Sequence, residues 1–167
     1  FDIKITAVPK QLYFVDLEDA DTTANGEDTR VEVKTGKEVV LVAPERDGFR
    51  FNHWEVTSGP VGLIDADKTT AYFTMKSENV RIKAIYDEYH TITMVDGKGT
   101  AYDADGKEIT SAVVGDKITI VAKDRDSHEF NHWEIDPDNV ILEDPNAERT
   151  YFTMPDEAVK VKAKYKH

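Results

Sequence analysis

One stretch is written twice in this chain. Phe-Asn-His-Trp-Glu at Phe51–Glu55 is followed by Tyr-Phe-Thr-Met at Tyr72–Met75, and the same two strings return at Phe130–Glu134 and Tyr151–Met154. Both recur at one offset, 79 residues (51 to 130 and 72 to 151). A fixed internal period of this size marks tandem modules, each a structural unit in its own right. The 167 residues therefore divide into two domains, 1–87 and 88–167, rather than forming one. A module of about 80 residues buries only a little over about 60% of its unfolded surface, so each copy is expected to be modestly stable.

Around these strings the pattern is that of strands. Copy one is expected to open with a strand at Ile3–Val8, where apolar residues alternate, and copy two with its counterpart at Thr91–Val95, at an offset of 87 (5 to 92). By Gly36 and Gly115 the offset has returned to 79, so copy one is expected to carry eight extra residues in a surface loop or hairpin within Pro9–Thr35. Asn25-Gly26, Asp96-Gly97 and Asp105-Gly106 read as hairpin turns. Further strands are expected at Val39–Ala43 and Ile118–Ala122, in the two Trp-containing strings, at Val61–Ile64 and Val140–Leu142, and at Ala71–Met75 and Thr150–Met154.

The last strand of each copy has the cleanest alternation, Val80-x-Ile82-x-Ala84-x-Tyr86 and Val159-x-Val161-x-Ala163-x-Tyr165. Its interleaved Arg81, Lys83, Lys160, Lys162 and Lys164 suit a strand that shows one face or one edge to water. No apolar stripe of helical period runs for three turns. The expected fold is all-β: two small, mostly antiparallel modules of five to seven short strands, sandwich-like or β-grasp-related without a clear helix.

The F-x-x-W strand, the F-T-M turn and the closing V-x-(I/V)-x-A-x-Y strand together resemble the divergent relatives of the internalin B-repeat, over nearly the whole chain. The residues that carry the resemblance are Phe51, Trp54, Phe73, Met75 and Tyr86 in copy one, and Phe130, Trp133, Phe152, Met154 and Tyr165 in copy two. The resemblance implies a stalk or adhesive module of a secreted or cell-wall-anchored bacterial protein, not an enzyme. Internalin B-repeats are β-grasp-like with a helix, and that helix is not carried over to this sequence.

Charge and composition narrow the partners. The formal net charge is −12, and both halves share the sign, with 11 basic and 16 acidic residues in 1–87 and 10 and 17 in 88–167. Such a field repels phosphate backbones, and no basic stripe interleaved with aromatics opposes it, so no nucleic-acid partner is expected. There is no cysteine, hence no disulfide framework and no thiolate metal site. No apolar run is long enough for a membrane span, and the chain reads as a monomeric fragment of a larger exported, Gram-positive-type surface protein.

Candidate chemistry is sparse. The turn Glu45-Arg46-Asp47 recurs in register as Asp124-Arg125-Asp126, a candidate surface patch for a basic partner or a cation, though adjacent opposite charges on a solvated turn are the commoner case. Asp103-Ala104-Asp105-Gly106 begins like a calcium loop, but Val114 stands where the twelfth-position glutamate belongs. His128 and His132 are four apart, which in a strand spans about 13 Å and is too far to share one ion. Neither a serine elbow nor a phosphate loop nor a nucleotide fingerprint is present. No catalytic residue, metal or cofactor is expected.

Three uses of the chain remain. The first is a spacer or adhesive domain that contacts a host or neighbouring surface protein. The second is a carbohydrate-binding module with Trp54, Trp133 and the tyrosines as stacking platforms. The third is a self-formed Lys–Asn crosslink at the repeated Asn52 and Asn131. The tryptophans are expected in the core, since each shares a strand face with Val56 or Ile135. The two modules are expected to join near Asp87–Tyr89 with almost no linker, as a rod-like pair.

Overall fold

The computed structural model describes residues 11–167. The chain divides into two compact units, Phe1–Tyr86 and Asp87–His167. No α-helix occurs among the described residues, whose one helical element is a 3-10 turn at Val95–Gly97.

The first unit contains β1 (Leu12–Leu17), β2 (Thr23–Ala24), β3 (Arg30–Lys34), β4 (Glu38–Val42), β5 (Phe49–Ser58), β6 (Thr70–Thr74) and β7 (Val80–Glu88). They form two sheets, ordered β3-β1-β7-β5 and β2-β4-β6. The second unit contains β8 (His90–Met94), β9 (Gly99–Tyr102), β10 (Glu108–Ile109), β11 (Ser111–Ala112), β12 (Lys117–Ala122), β13 (Glu129–Asp136), β14 (Arg149–Thr153) and β15 (Val159–Lys166). Its sheets are ordered β11-β8-β15-β13 and β10-β9-β12-β14. The two units thus share one topology, and β10 is the strand that the first unit lacks.

Period-two burial explains why these segments are strands. In β7, Val80, Ile82 and Ala84 are buried while Arg81 and Lys83 are exposed, because successive side chains of a strand point to opposite faces. In each unit the inward faces of both sheets meet in one core. Val15, Val31, Trp54 and Ile82 from one sheet join Leu41, Ala71 and Phe73 from the other, and Ile92, Trp133 and Val161 join Ile118, Ile120 and Phe152. Burying a side chain such as Phe73 or Ile82 contributes about 1.5–3 kcal/mol each.

The first strand of each unit runs parallel to the last, while its other neighbour is antiparallel. Val15 lies opposite Val80 and Leu17 opposite Ile82, just as Ile92 lies opposite Val159 and Met94 opposite Val161. This corrects the placement of the opening strand in copy one. The stretch Ile3–Val8 lies outside the described residues, and the counterpart of β8 is β1. The run Leu12-Tyr13-Phe14-Val15 hides its alternation because both faces carry apolar residues: Val15 is buried in the core, while Phe14 on the other face lies 4.5 Å beneath the Arg30 guanidinium.

The length difference between the copies reverses with it. From Val15 and Ile92 through Ala24 and Ala101 the offset is 77, and at Val33 and Ala112, which face Tyr13 and His90, it is 79. Copy two is therefore longer by two residues, not copy one by eight. The extra length falls at the β9–β10 hairpin, whose turn is closed by Asp103: its Oδ1 accepts the N–H groups of Asp105 and Lys107, both at 2.9 Å. In copy one the corresponding turn is the tight Asn25-Gly26, with φ of 50° and 83°, values that only glycine and asparagine adopt readily.

Two further expectations are corrected. Asp96-Gly97 is not a hairpin turn, since the β8 and β9 strands on either side of it belong to different sheets. Val61–Ile64 and Val140–Leu142 are not strands: Ile64 makes a single bridge to Tyr72, and Glu143 donates to the Tyr151 carbonyl at 2.9 Å. Of the two placements expected for the final strands, one face or one edge to water, the face holds: β7 and β15 are interior to their sheets, with neighbours on both sides.

Candidate functional site

At one end of each sandwich the repeated aromatics stack in sequence. Phe51 lies 5.8 Å from Trp54 and 5.5 Å, edge-on, from Tyr86. In the second unit Phe130 lies 5.5 Å from Trp133 and 6.1 Å, edge-on, from Tyr165. Such offset and T-shaped pairs match the ring quadrupoles and add about 0.5–1.5 kcal/mol beyond area burial.

Phenylalanine and tryptophan share a face although they are three residues apart. In β13, Phe130 faces Tyr165 and Trp133 faces Ala163, and the register slips by one residue between Phe130 and His132. This β-bulge at Asn131 absorbs one residue and brings an odd spacing onto one face.

Of the signature residues, Trp54, Phe73, Met75, Trp133, Phe152 and Met154 are buried. Phe51, Tyr86, Phe130 and Tyr165 are half-buried against the same cores. Both tryptophans are only 3% exposed, so neither offers a face for stacking a sugar. Asn52 and Asn131, the repeated asparagines, lie exposed on their strands.

The repeated arginines cap the aromatic stack, a link the sequence did not reveal. The Arg46 guanidinium sits 3.8 Å above the Tyr86 ring, and that of Arg125 sits 5.0 Å above Tyr165, within the range at which a cation is held by a ring face. The Tyr86 hydroxyl donates to the Pro44 carbonyl at 2.6 Å, and the Tyr165 hydroxyl to the Lys123 carbonyl. These bonds tie the last strand to the turn that carries the arginine. Burial raises both tyrosines above their ordinary pKa.

Arg46 does not pair with Glu45 or Asp47, its exposed neighbours in the turn. It donates to both carboxylate oxygens of Asp21, at 2.7 and 2.6 Å, and lies 3.4 Å from Asp19. Asp19 in turn accepts the Ala84 N–H at 2.8 Å. The hydrogen bond from Arg46 holds Asp21 below the usual carboxylate range, and its reciprocal raises Arg46. In the second unit Asp124 and Asp126 are likewise exposed and Arg125 half-buried.

The histidines do not converge. His128 stacks on His167 at 4.3 Å, His132 lies 3.5 Å from Glu134, and His90 lies 2.9 Å from Asp156. Among the described residues no group of three or more His, Asp or Glu side chains could hold a metal ion. The repeated constellation is an aromatic stack, a cation on top of it, and a hydroxyl clasp between strand and turn.

The model of the divergent InlB B-repeat domain matches residues 15–90 and again 89–167, and its first match starts within β1. No curated protein and no solved structure matches the chain. Repeats of this type occur in bacterial surface or exported proteins and are repeat domains, not an enzyme class. With nearly all of its length taken up by two consecutive matches, the chain belongs to the divergent InlB B-repeat family, as two tandem copies.

Proposed function

We propose that this chain is a non-catalytic extracellular module of a bacterial cell-surface or secreted protein, a spacer or stalk segment whose exposed loops serve as an adhesive protein-interaction surface. The observation that carries this reading is where the repetition falls. Residues repeated at the offset of 79 fill the two cores, Trp54 with Trp133, Phe73 with Phe152 and Met75 with Met154. Two loops differ instead, 18–26 against 95–107: Asn25-Gly26 stands against Asp103–Lys107, and Asp21 against Lys98. A unit that keeps its core and varies its rim preserves a scaffold while changing what it touches, and loops are where contact surfaces are carried.

Burial of both tryptophans argues against the carbohydrate-binding alternative, because a stacking platform needs an open ring face. The partner expected is a protein, on a host or a neighbouring cell surface, and the module is expected to act as a monomer. A display experiment tests the reading. Inserted between a wall anchor and an epitope on a Gram-positive cell, the chain should raise antibody access to the epitope well above that given by a Gly/Ser linker of equal residue number, which coils back on itself. Equal access from both inserts would remove the spacer role.

A further inference from the structure

Arg46 and Arg125 occupy the same place in the two units, yet among the described residues only Arg46 is supplied with carboxylates. The offset of 77 that aligns Val15 with Ile92 and Ala24 with Ala101 also aligns Asp19 with Asp96 and Asp21 with Lys98. Asp19 is largely covered, with its side chain 20% exposed, and it bonds both Arg46 and the backbone of β7. Asp96 has turned outward, its side chain 62% exposed and 3.9 Å from Lys98. No carboxylate of the described residues stands within 4.0 Å of Arg125.

A groove of about 300 Å³ opens beside that arginine, lined by Lys98, Arg125, His128, Lys162 and Lys164, with Asp96 its one acidic residue. This is a cationic hollow on a chain whose net charge is −12. Asp124, Asp126, Glu129 and Glu148 line a cavity that shares Arg125, so the acidic residues frame the arginine and leave the lysine groove as the approach for an anion.

We infer that the second unit carries a binding site for an acidic peptide segment, in which Arg125, stacked on Tyr165 and backed by Lys98, receives from a partner the pair of carboxylates that Asp19 and Asp21 supply to Arg46 within the first unit. The first unit shows the arrangement filled: two carboxylates with one residue between them, one in a forked bond to the guanidinium and the other bridging to the last strand. A guanidinium with its ring face occupied by tyrosine keeps its N–H edge free for such a fork. The ligand is therefore a peptide with an Asp-x-Asp spacing. The inference deepens the protein-interaction half of the proposed function and names the partner's chemistry.

The test is a titration of the complete chain, followed by NMR at pH 7 and low salt, with the capped peptide Glu-Asp-Ala-Asp-Thr, the sequence of residues 18–22. Saturable shifts at Lys98, Arg125 and Tyr165 with a Kd below about 1 mM are expected, weakening as salt is added. The same peptide with Asn for both Asp should not bind. Lys98→Asp supplies the missing carboxylate in cis and should weaken peptide binding by about tenfold or more, as a competing charge-assisted bond would. Conversely, Asp21→Lys should free Arg46 and create a second site in the first unit.

Absence of saturable shifts overturns the inference, as does binding that Lys98→Asp leaves unchanged. Inorganic phosphate that produces the same shifts at equal concentration, with the peptide adding nothing, would reduce the groove to an unspecific anion spot. Arg125→Gln, checked for an unchanged amide spectrum elsewhere, should abolish binding without unfolding the unit. The display experiment does not use the peptide, so a spacer that passes it while failing here leaves the proposed function intact and removes only this site.

Discussion

The indole N–H of Trp133 donates to the carbonyl of Ala147 at 3.0 Å, whereas the equivalent N–H of Trp54 is buried with no acceptor among the described residues. A buried donor without a partner carries its desolvation cost uncompensated. The same substitution should therefore act differently in the two copies. Trp133→Phe loses both packing and the bond, while Trp54→Phe loses packing but relieves the orphaned donor. Trp133→Phe should be the more destabilising by about 1 kcal/mol, read from the two unit transitions in urea. Equal losses would contradict this account.

Removing the tryptophan altogether should separate the two units. Trp133 belongs to a core formed only by residues of the second unit, and truncating a buried tryptophan to alanine costs about 3–5 kcal/mol, much of the roughly 5 kcal/mol expected of a small domain. Trp133→Ala should unfold the second unit at room temperature and leave the amide spectrum of residues in the first largely unchanged. Collapse of both spectra would show the units to be thermodynamically one.

Gly99 is held small by that same tryptophan. A Cβ there would stand 2.8 Å from the ring edge of Trp133 and 3.1 Å from the Val121 carbonyl oxygen, closer than van der Waals contact allows. In the first unit the aligned residue is Thr22, fully buried and hydrogen-bonded to Asp19. Gly99→Ala should cost about 1–3 kcal/mol, the usual penalty of overpacking, measured as a lower melting temperature of the second unit alone.

Acid should weaken the first unit through Asp21. Its folded pKa is held down by Arg46, so the stability it contributes is present above the unfolded value and is lost as pH falls through the lowered one. With the Asp21 side chain 46% exposed, solvent screening limits the effect to a few tenths up to about 1 kcal/mol. The cost of Asp21→Asn at pH 7 should therefore shrink as pH falls through the lowered pKa. A cost independent of pH would place the contribution in packing instead.

The repeat, the all-β class and the core identity of the aromatics were legible because period-two alternation and a fixed offset are properties of the sequence itself. Other features depended on tertiary context. Phe130 and Trp133 share a face only because a bulge at Asn131 breaks the period, and nothing in the string Phe-Asn-His-Trp announces it. The counterpart of β8 was missed because Ile3–Val8 alternates more cleanly than Leu12–Leu17, whose outward Leu12 and Phe14 are apolar as well. The lysines of β15 left face and edge open because local charge is visible and a parallel partner 67 residues away, Ile92 opposite Val159, is not. The arginine clasp was half legible: its loop was noticed for its charges, but its partners, Asp21 and Tyr86, are 25 residues before Arg46 and 40 after it.

The parallel pairing of first and last strands has a consequence under load. Within each unit the chain enters along β1 or β8 and leaves along the adjacent β7 or β15, both running the same way, so entry and exit lie at opposite ends of one strand pair. Tension along the backbone then slides the two strands past each other and strains all the hydrogen bonds between them together, where an antiparallel terminal pair would unzip one bond at a time. Extending this ladder, Glu18 donates to the Ile82 carbonyl at 2.9 Å. Forced unfolding is governed by the barrier and not by equilibrium stability, so a unit of modest thermodynamic stability still resists pulling along its backbone.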